Sequence, residues 1–290
     1  MDNLRKPGIA FFAVFALTLA LVAQTPQTVK MNVDIVQIPV TVTNANNRFI
    51  SDLQKEHFRI WEDRVEQKIL YFSTEDAPMS LVIVLDVSES MRINRAYSDR
   101  TASECLKTGV QDDQYSLVLF SDKPESPMEF TSDIRKLQSK LQLLKSKGST
   151  ALYDAIYSGL ETIETATNPR KALVVISDGY ENHSRHSMGD IRKMVREKDV
   201  QIYTVGNTGD GAIQELARMT GGKPLTGSSG LANVCTAIVR ELKNQYVISY
   251  KSTNAAKDGT WRKVRVQLTV PQELQLSSRA KTGYFAGTED

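Results

Sequence analysis

The sequence predicts an α/β fold in which a doubly wound, mostly parallel sheet is inserted into a small β-sandwich built by the N- and C-terminal segments. Two observations support this prediction. Over residues 80–244, aliphatic runs of strand length alternate with stretches of helical period, which is typical of a parallel sheet covered by helices. Over residues 28–76 and 245–290, short alternating segments favour antiparallel strands. We therefore expect one inserted domain between two halves of a sandwich.

Length and composition favour a folded protein with more than one domain. The chain has 290 residues, of which 41% are hydrophobic and 24% charged, and its formal net charge is +2. Such a composition is ordinary for a folded soluble protein. Charges of both signs are interspersed along the chain. Because a nucleic-acid-binding protein usually shows a basic stripe, we expect no nucleic-acid partner.

Residues 1–23 have the layout of a secretory signal peptide. Arg5 and Lys6 precede an uncharged apolar run over 9–22, and small residues suitable for cleavage stand at Ala20 and Ala23. The run is shorter than the roughly 20 residues that a membrane span needs. We expect export to the periplasm or the cell exterior. An uncleaved N-terminal anchor is the alternative, and membrane contact is expected only in that case.

The two halves of the sandwich are predicted from local pattern. Six segments have the alternation or the β-branched content of strands, namely 33–42, 58–61, 69–72, 246–250, 264–270 and 279–285. Turns are indicated at 44–47 and at Asp258-Gly259. Each half alone leaves an apolar face open, so we expect the two halves to pair in one sandwich.

The inserted domain is predicted from two alternating patterns. Four continuous aliphatic runs fit strands that are buried on both faces, namely 81–85, 116–120, 172–176 and 202–205. Stretches of helical period lie between and after them, at 102–110, 134–144, 152–163, 191–195, 213–219 and 231–242. Strands that alternate with helices indicate a parallel, doubly wound sheet.

Oxygen-bearing side chains follow the strands of this predicted sheet. Asp86, Ser88 and Ser90 occupy alternate positions directly after the first aliphatic run, and Thr150 and Asp178 stand at later strand–helix junctions. In open α/β sheets, ligands bind beyond the carboxyl ends of the strands. Carboxylate and hydroxyl oxygens suit hard cations. The pattern therefore predicts a site for Mg²⁺ or Mn²⁺.

The order Asp-x-Ser-x-Ser, then Thr, then Asp resembles the metal-ion-dependent adhesion site (MIDAS) of von Willebrand factor type A (VWA) domains. The local contexts agree, with Gly148 shortly before Thr150 and Gly179 directly after Asp178. This resemblance covers roughly 80–244. The flanks resemble, more loosely, a bacterial group of exported VWA-related proteins through Glu62-Asp63, Trp261, Arg279 and Gly283-Tyr284.

The resemblance implies a role for each residue of the motif. Ser88 and Ser90 would ligate the cation directly, and Asp86 and Asp178 would act largely through waters. Thr150 would join when a ligand is bound. A sixth coordination position would stay open for a carboxylate of a partner protein. Each residue also has a purely structural alternative: a helix cap for Asp86 or Thr150, loop amides for the two serines, and an ordinary turn for Asp178.

We therefore expect an exported, metal-dependent protein-binding module, used in adhesion or as a scaffold, rather than an enzyme. The alternatives are a structural envelope protein in which the metal braces the loops, and a metal-assisted hydrolase. A hydrolase needs a general base near the metal, and the candidates are Glu89, Asp154 and His183. A zinc site at His183 and His186 is disfavoured because no Cys accompanies them, and we expect both in an exposed loop.

Cys105 and Cys235 each lie in a predicted helix. In an oxidising compartment two cysteines can form a disulfide, and a pair of buried thiols is the alternative. In the fold that the chain resembles, the first and last helices of the domain are neighbours. The last helix, here 231–242, is also the element that shifts in relatives when a ligand binds. A bridge would restrain this shift.

Overall fold

The computed structural model describes residues 35–74, 77–110, 112–142, 144–206, 211–225 and 231–288. The strands of the N-terminal flank are β1 (Ile35–Thr43), β2 (Phe58–Glu62), β3 (Val65–Gln67) and β4 (Ile69–Ser73). In the central region they are β5 (Met79–Asp86), β6 (Gln114–Phe120), β7 (Arg170–Ile176), β8 (Gln201–Val205) and β9 (Pro224–Leu225). The C-terminal flank contributes β10 (Tyr246–Lys251), β11 (Trp261–Leu268), β12 (Ser277–Ala280) and β13 (Gly283–Phe285).

The helices of the described residues all lie in the central region. They are α1 (Arg95–Lys107), α2 (Ile134–Gln142), α3 (Leu152–Glu164), α4 (Met188–Glu197), α5 (Gly211–Met219) and α6 (Leu231–Lys243). None of them is both long and apolar enough to cross a membrane.

The central sheet has the strand order β6-β5-β7-β8-β9, and every neighbouring pair is parallel. The middle strand β5 is buried at every position, which explains its unbroken aliphatic run. Leu81, Ile83 and Leu85 pack in the core with α1, α2 and α6. Val82 and Val84 pack on the opposite face with α3, α4 and α5. The predicted doubly wound sheet is confirmed.

The flanking segments build two antiparallel sheets, of order β12-β1-β10-β4 and β13-β11-β2-β3. Each sheet joins strands from both ends of the chain, because β1 pairs with β10 and β2 pairs with β11. Their inner faces share one core that includes Ile38, Phe58, Ile60, Tyr246 and Val264. The predicted fold class, an α/β domain inserted in a β-sandwich, is therefore confirmed. The boundaries 28–76, 80–244 and 245–290 stay predictions, and the predicted signal peptide at 1–23 lies outside the described residues.

A buried carboxylate fastens the two halves of the sandwich. Glu62 of β2 accepts hydrogen bonds from the hydroxyls of Tyr250 and Tyr284, each at 2.8 Å. Burial and the bond to Glu62 raise the pKa of Tyr284 to about 12. Tyr284 therefore stays a hydrogen-bond donor at neutral pH. Because Glu62 belongs to the N-terminal half and both tyrosines to the C-terminal half, the cluster adds a polar link to the shared apolar core.

Three sequence-based predictions of secondary structure need correction. The strand predicted at 279–285 is two strands, β12 and β13, which belong to different sheets. The first helix begins at Arg95 instead of 102, because its first turns are polar and give no apolar period. The strands β3 and β9 were not predicted, since two or three residues cannot show alternation.

The central domain and the sandwich meet at a buried ion cluster around Glu241 of α6. The Tyr203 hydroxyl donates to Glu241 Oε1 at 2.9 Å, and Lys223 Nζ lies 3.1 Å from Oε2. Arg279 of β12 donates to Glu241 Oε1 through Nη2 and to the Gly221 carbonyl through Nε. A buried carboxylate is stable only when it is paired and hydrogen-bonded, as here. Arg279 thus ties the sandwich to the last helix of the domain.

The two cysteines form a disulfide. Cys105 of α1 and Cys235 of α6 have their Cα atoms 4.7 Å apart, and the bridge spans a sequence separation of 130. Both side chains are buried in the core between these helices. Of the two alternatives left by the sequence, the structure has the disulfide.

We predict that Glu241→Gln lowers the free energy of unfolding by about 2 kcal/mol, because the partly exposed Arg279 and Lys223 lose a hydrogen-bonded anionic partner. Urea denaturation measures the change. The matched control is Glu215→Gln, which removes the exposed 2.7 Å ion pair with Arg192 and should cost less than about 1 kcal/mol. Equal losses of stability in the two variants would show that the buried cluster stabilises the fold no more than an exposed ion pair does.

We predict that the Cys105→Ala/Cys235→Ala double variant loses about 4 kcal/mol of stability, because its unfolded chain is no longer cross-linked over the separation of 130. Urea denaturation of the wild type with and without reductant should reproduce the difference. Alkylation followed by intact-mass measurement gives the control, with no modified thiol expected in the unreduced protein. Two alkylated thiols would contradict the disulfide.

Candidate metal centre

Three loops meet at the carboxyl edge of the central sheet. The first follows β5, the second precedes α3, and the third follows β7. In the parallel register, Asp86 stands opposite Phe120 of β6, and Leu85 stands opposite Ile176 of β7. The residues that follow these strands are therefore neighbours in space. This is the edge at which open α/β sheets bind ligands.

The first loop turns around a buried carboxylate. Asp86 Oδ1 accepts a hydrogen bond from the Ser88 amide at 2.9 Å, and Asp86 Oδ2 accepts one from the Ser177 hydroxyl at 2.7 Å. The hydroxyl oxygens of Ser88 and Ser90 are 3.0 Å apart. Asp86 and Ser88 are fully buried, whereas Ser90 is exposed. Three of the five predicted residues are thus in direct contact.

The electrostatics of this loop favour a cation. Burial raises the pKa of the Asp86 carboxyl, hydrogen bonds from Ser88 and Ser177 oppose the rise, and the negative charge of Asp178 adds to it. Two acidic side chains that disfavour each other's charge gain stability when a cation lies between them. The oxygen-only donor set also suits a hard divalent ion. The residues present therefore fit the metal that the resemblance implies.

The second loop carries Thr150, which is buried and held by a reciprocal pair of hydrogen bonds. The Thr150 amide donates to Asn182 Oδ1 at 2.9 Å, and the Asn182 amide donates to the Thr150 carbonyl at 3.1 Å. Two further backbone bonds join this loop to the first, from Glu89 N to Gly148 O and from Lys147 N to Val87 O, both at 3.0 Å. The position of Thr150 is thus fixed from two sides.

Gly148 is required by the second loop. Its φ is +78°, a left-handed conformation that favours glycine, and a Cβ at this position would lie 2.5 Å from Asp122 Oδ2. Asp122 holds the loop because its Oδ1 accepts a hydrogen bond from the Ser149 amide at 2.6 Å. This bond is the main reason why the pKa of Asp122 is lowered.

The third loop places Asp178, which is half-buried, beside Asp86. Its Oδ1 accepts a hydrogen bond from the Tyr180 amide at 3.4 Å. The Ser177 hydroxyl, which donates to Asp86, also accepts from the Gly179 amide at 3.0 Å. The five predicted residues therefore lie on three adjoining loops. Asp86, Ser88 and Ser90 contact one another directly. Ser177 connects the loop of Asp178 to Asp86, and backbone hydrogen bonds connect the loop of Thr150 to the first loop.

Sequence reasoning missed the side chains that hold the loops together, namely Ser177, Asn182 and Asp122. The position of Ser177 could have indicated its role. It directly follows a buried strand and precedes Asp178, and the register of β5 and β7 brings it level with Asp86. Asn182 and Asp122 give no such signal. Each is a single polar residue in a loop, and its partner is distant in sequence.

The expectation of an exposed loop for His183 and His186 is half wrong. His183 is exposed, but His186 is half-buried. His186 Nδ1 lies 2.7 Å from Asp154 Oδ1, and the ring stacks on Tyr157 with centroids 3.9 Å apart. His186 is half-buried because its loop packs on the N-terminus of α3, where backbone amides without a helical partner attract oxygen acceptors. The preceding residues Glu181 and Ser184 accept from the amides of α3, and this contact pulls His186 onto the helix.

Asp154 stabilises the same contact between this loop and α3. Its Oδ1 accepts hydrogen bonds from the amides of Arg185 and His186 at 3.1 and 2.9 Å. Burial raises the pKa of the Asp154 carboxyl, but these bonds lower it more, so the net shift is downward. A group that is ionised and fully hydrogen-bonded is a poor proton acceptor. In the described part of the chain, no three His, Cys, Asp or Glu side chains lie together in a way that could hold a metal ion.

Residues 81–181 match the family model of the von Willebrand factor type A domain. The chain contains a VWA domain. The matched stretch begins in β5 and includes Asp86, Ser88, Ser90, Thr150 and Asp178. No curated protein shows a sequence match to the chain.

Parts of this chain are similar to solved structures. Proximal thread matrix protein 1 from the mussel byssus is 17% identical, with a TM-score of 0.50, and the match covers 63% of this chain and 51% of the mussel chain. A second structure of that protein has a zinc-occupied MIDAS motif (18% identity, TM-score 0.48, 62% and 49% covered). An aerotolerance-related membrane protein from Bacteroides fragilis NCTC 9343 is 17% identical, with a TM-score of 0.49 and 57% and 98% covered. At these identities the likeness concerns the fold alone.

We predict that Asn182→Ala lowers the free energy of unfolding by about 1 kcal/mol, because the buried Thr150 amide loses its acceptor. Hydrogen exchange of the Thr150 amide should become faster, which urea denaturation alone would not reveal. His183→Ala, at the exposed neighbouring position, is the control and should change stability by less than about 0.5 kcal/mol. If hydrogen exchange of the Thr150 amide is unchanged in Asn182→Ala, Asn182 does not hold Thr150 in place.

Proposed function

We propose that this chain is an exported binding module, used in adhesion or as a scaffold, whose VWA domain holds a partner protein through a divalent cation. The proposed ligands of the cation are Asp86, Ser88, Ser90, Thr150 and Asp178. The observation that carries the proposal is the convergence of a buried carboxylate and two contacting hydroxyls on one edge of the sheet. When bound, the cation supplies a positive charge that attracts a carboxylate of the partner.

The donor set supports Mg²⁺ or Mn²⁺ as the cation. All five side chains offer oxygen, and neither sulfur nor nitrogen is among the donors. The two carboxylates, Asp86 and Asp178, are proposed to act largely through waters, so hydroxyl oxygens are the direct ligands and the divalent ion keeps its attraction for a further acidic group. This charge balance is the reason to propose an acidic residue on the partner.

Contacts between the loops favour a binding site over a structural brace. The second loop is already joined to the first by two backbone hydrogen bonds and to the third by the Thr150–Asn182 pair. Ser177 joins the third loop to the first. Because protein groups alone hold the three loops, a cation is not needed for that purpose. Its proposed role is to present charge to a partner.

Side-chain contacts also disfavour the hydrolase alternative. Glu89 forms an ion pair with Arg92 at 2.9 Å, and the Asp154 carboxylate is engaged by the amides of Arg185 and His186. The remaining candidate, His183, is exposed and lies near Asp122 of the second loop, but no hydrogen bond orients its ring in the described residues. We therefore propose binding and not catalysis.

The disulfide supports export. Stable disulfides form in oxidising compartments such as the periplasm or the cell exterior. The Cys105–Cys235 bridge therefore agrees with the signal-peptide prediction for residues 1–23. We propose a periplasmic or extracellular location, with membrane contact only if the N-terminal segment is retained.

We predict that Mg²⁺ stabilises the wild-type protein by about 2.7 kcal/mol at roughly 100 times its dissociation constant. Thermal melts with Mg²⁺ and with chelator measure this shift. Ser90→Ala should abolish it with little change in the chelated melt, because Ser90 is exposed and contacts only the Ser88 hydroxyl in the described residues. Ser126→Ala, at an exposed loop position, should keep the full shift. A wild-type melt that saturating Mg²⁺ leaves unchanged would count against the site.

We predict that immobilised wild-type chain retains a protein from an envelope extract in Mg²⁺ and releases it in chelator, because the cation bridges the two proteins. Ser90→Ala should retain none of it, and Ser126→Ala should retain as much as the wild type. Capture that is equal in Mg²⁺ and chelator would contradict metal-dependent binding.

A further inference from the structure

A cavity of about 170 Å³ lies directly beside the candidate metal centre. It is enclosed by the start of α1 and the ends of β7 and β8. Its lining includes Met91, Asn94, Tyr97, Ile176, Asp178 and Val205. Asp178 is also a proposed ligand of the cation, so the cavity and the metal centre share a wall.

The lining of this cavity is largely apolar. Met91, Ile176 and Val205 are buried and present hydrocarbon or thioether surface. The Tyr97 hydroxyl is buried and has no hydrogen-bond partner in the part of the chain that the structure describes. Burial raises the pKa of Tyr97, which therefore stays neutral at physiological pH. The hydrocarbon and thioether part of this wall accepts an apolar group, whereas the neutral Tyr97 hydroxyl can donate a hydrogen bond to an occupant.

Two exposed apolar side chains stand in the same loops. Ile93, which follows the short turn after Ser90, is 89% exposed, and Tyr180, two residues after Asp178, is 68% exposed. Each of these side chains can lose apolar surface to water-excluding contact with a partner, which favours binding. The surroundings of the metal centre are therefore suited to an apolar contact as well as to an ionic one.

We propose that the cavity receives an apolar side chain, of the size of leucine, methionine or phenylalanine, from the same partner protein whose carboxylate the cation attracts. This inference rests on the proposed function and narrows its partner to a protein that presents an acidic residue next to a large apolar one. A cavity of about 150 Å³ holds a benzene molecule, so the volume suffices for such a side chain. Asp178 connects the two subsites, because it lines the cavity and is also a proposed ligand of the cation.

Phenyl-bearing carboxylates test the two-point site, since they carry both groups on one small molecule. The probes are phenylacetate, 3-phenylpropionate and 4-phenylbutyrate, each compared with the alkanoate of the same chain length that lacks the ring. NMR of the methyl groups of Val205 and Ile176 in the purified chain reports binding in the cavity. In Mg²⁺, we expect at least one phenyl compound to bind on the order of tenfold more tightly than its matched alkanoate.

A pair of variants on α1 locates the effect. Asn94 lines the cavity and is exposed, and its side chain makes no cap bond to the helix, so Asn94→Phe should cover the cavity without disturbing the core. The matched control is Ala96→Phe, an exposed position on the same turn that does not line the cavity. The tenfold gain should vanish in the first variant and persist in the second. A gain that persists in Asn94→Phe would overturn the assignment to this cavity.

The experiment separates this inference from the function on which it rests. If Mg²⁺ alone leaves the thermal melt unchanged, the proposed function fails and the two-point site fails with it. If Mg²⁺ binds but no phenyl compound exceeds its matched alkanoate, only the inference is overturned. The inference is also overturned if the phenyl ring increases affinity by the same factor in chelator, because the cation then does not hold the carboxylate.

Discussion

The structure of this VWA domain depends on one buried carboxylate at the end of its central strand. Asp86 terminates β5, the strand that is buried at every position, and it has no access to solvent. A charge in such a place is costly unless hydrogen bonds or an opposite charge compensate for it. The Ser88 amide and the Ser177 hydroxyl supply two bonds. The turn after β5 and the end of β7 are therefore forced to converge on this point.

This convergence means that protein groups alone hold the loops of the candidate site together. Thr150 is fixed by Asn182, the Gly148 loop is fixed by Asp122, and both loops bond to neighbours through backbone groups. Binding energy is then not spent on ordering loops, which is the general advantage of preorganised sites.

The sequence predicted the parts of the molecule whose signal is local. Aliphatic runs located the buried strands to within about two residues, and the motif at Asp86, Thr150 and Asp178 located the three loops. The polar first turns of α1 and the three-residue β3 carry no periodic signal, so they were missed. The roles of Ser177 and Asn182 were missed for another reason. Their partners are distant in sequence: the register of β5 and β7 brings Ser177 to Asp86, and contact between two loops brings Asn182 to Thr150.

The last helix of the domain is tied both to the first helix and to the sandwich. Helix α6 is bridged to α1 by the Cys105–Cys235 disulfide and is tied to the sandwich by the Glu241–Arg279 ion pair. The N-terminal part of α1 contributes Tyr97 to the cavity beside Asp178. A shift of α6, as the resemblance implies, would therefore have to carry α1 and strain the contact with β12. Because the Cys105–Cys235 bridge joins the two helices covalently within the core, α6 cannot move far at that point without displacing α1.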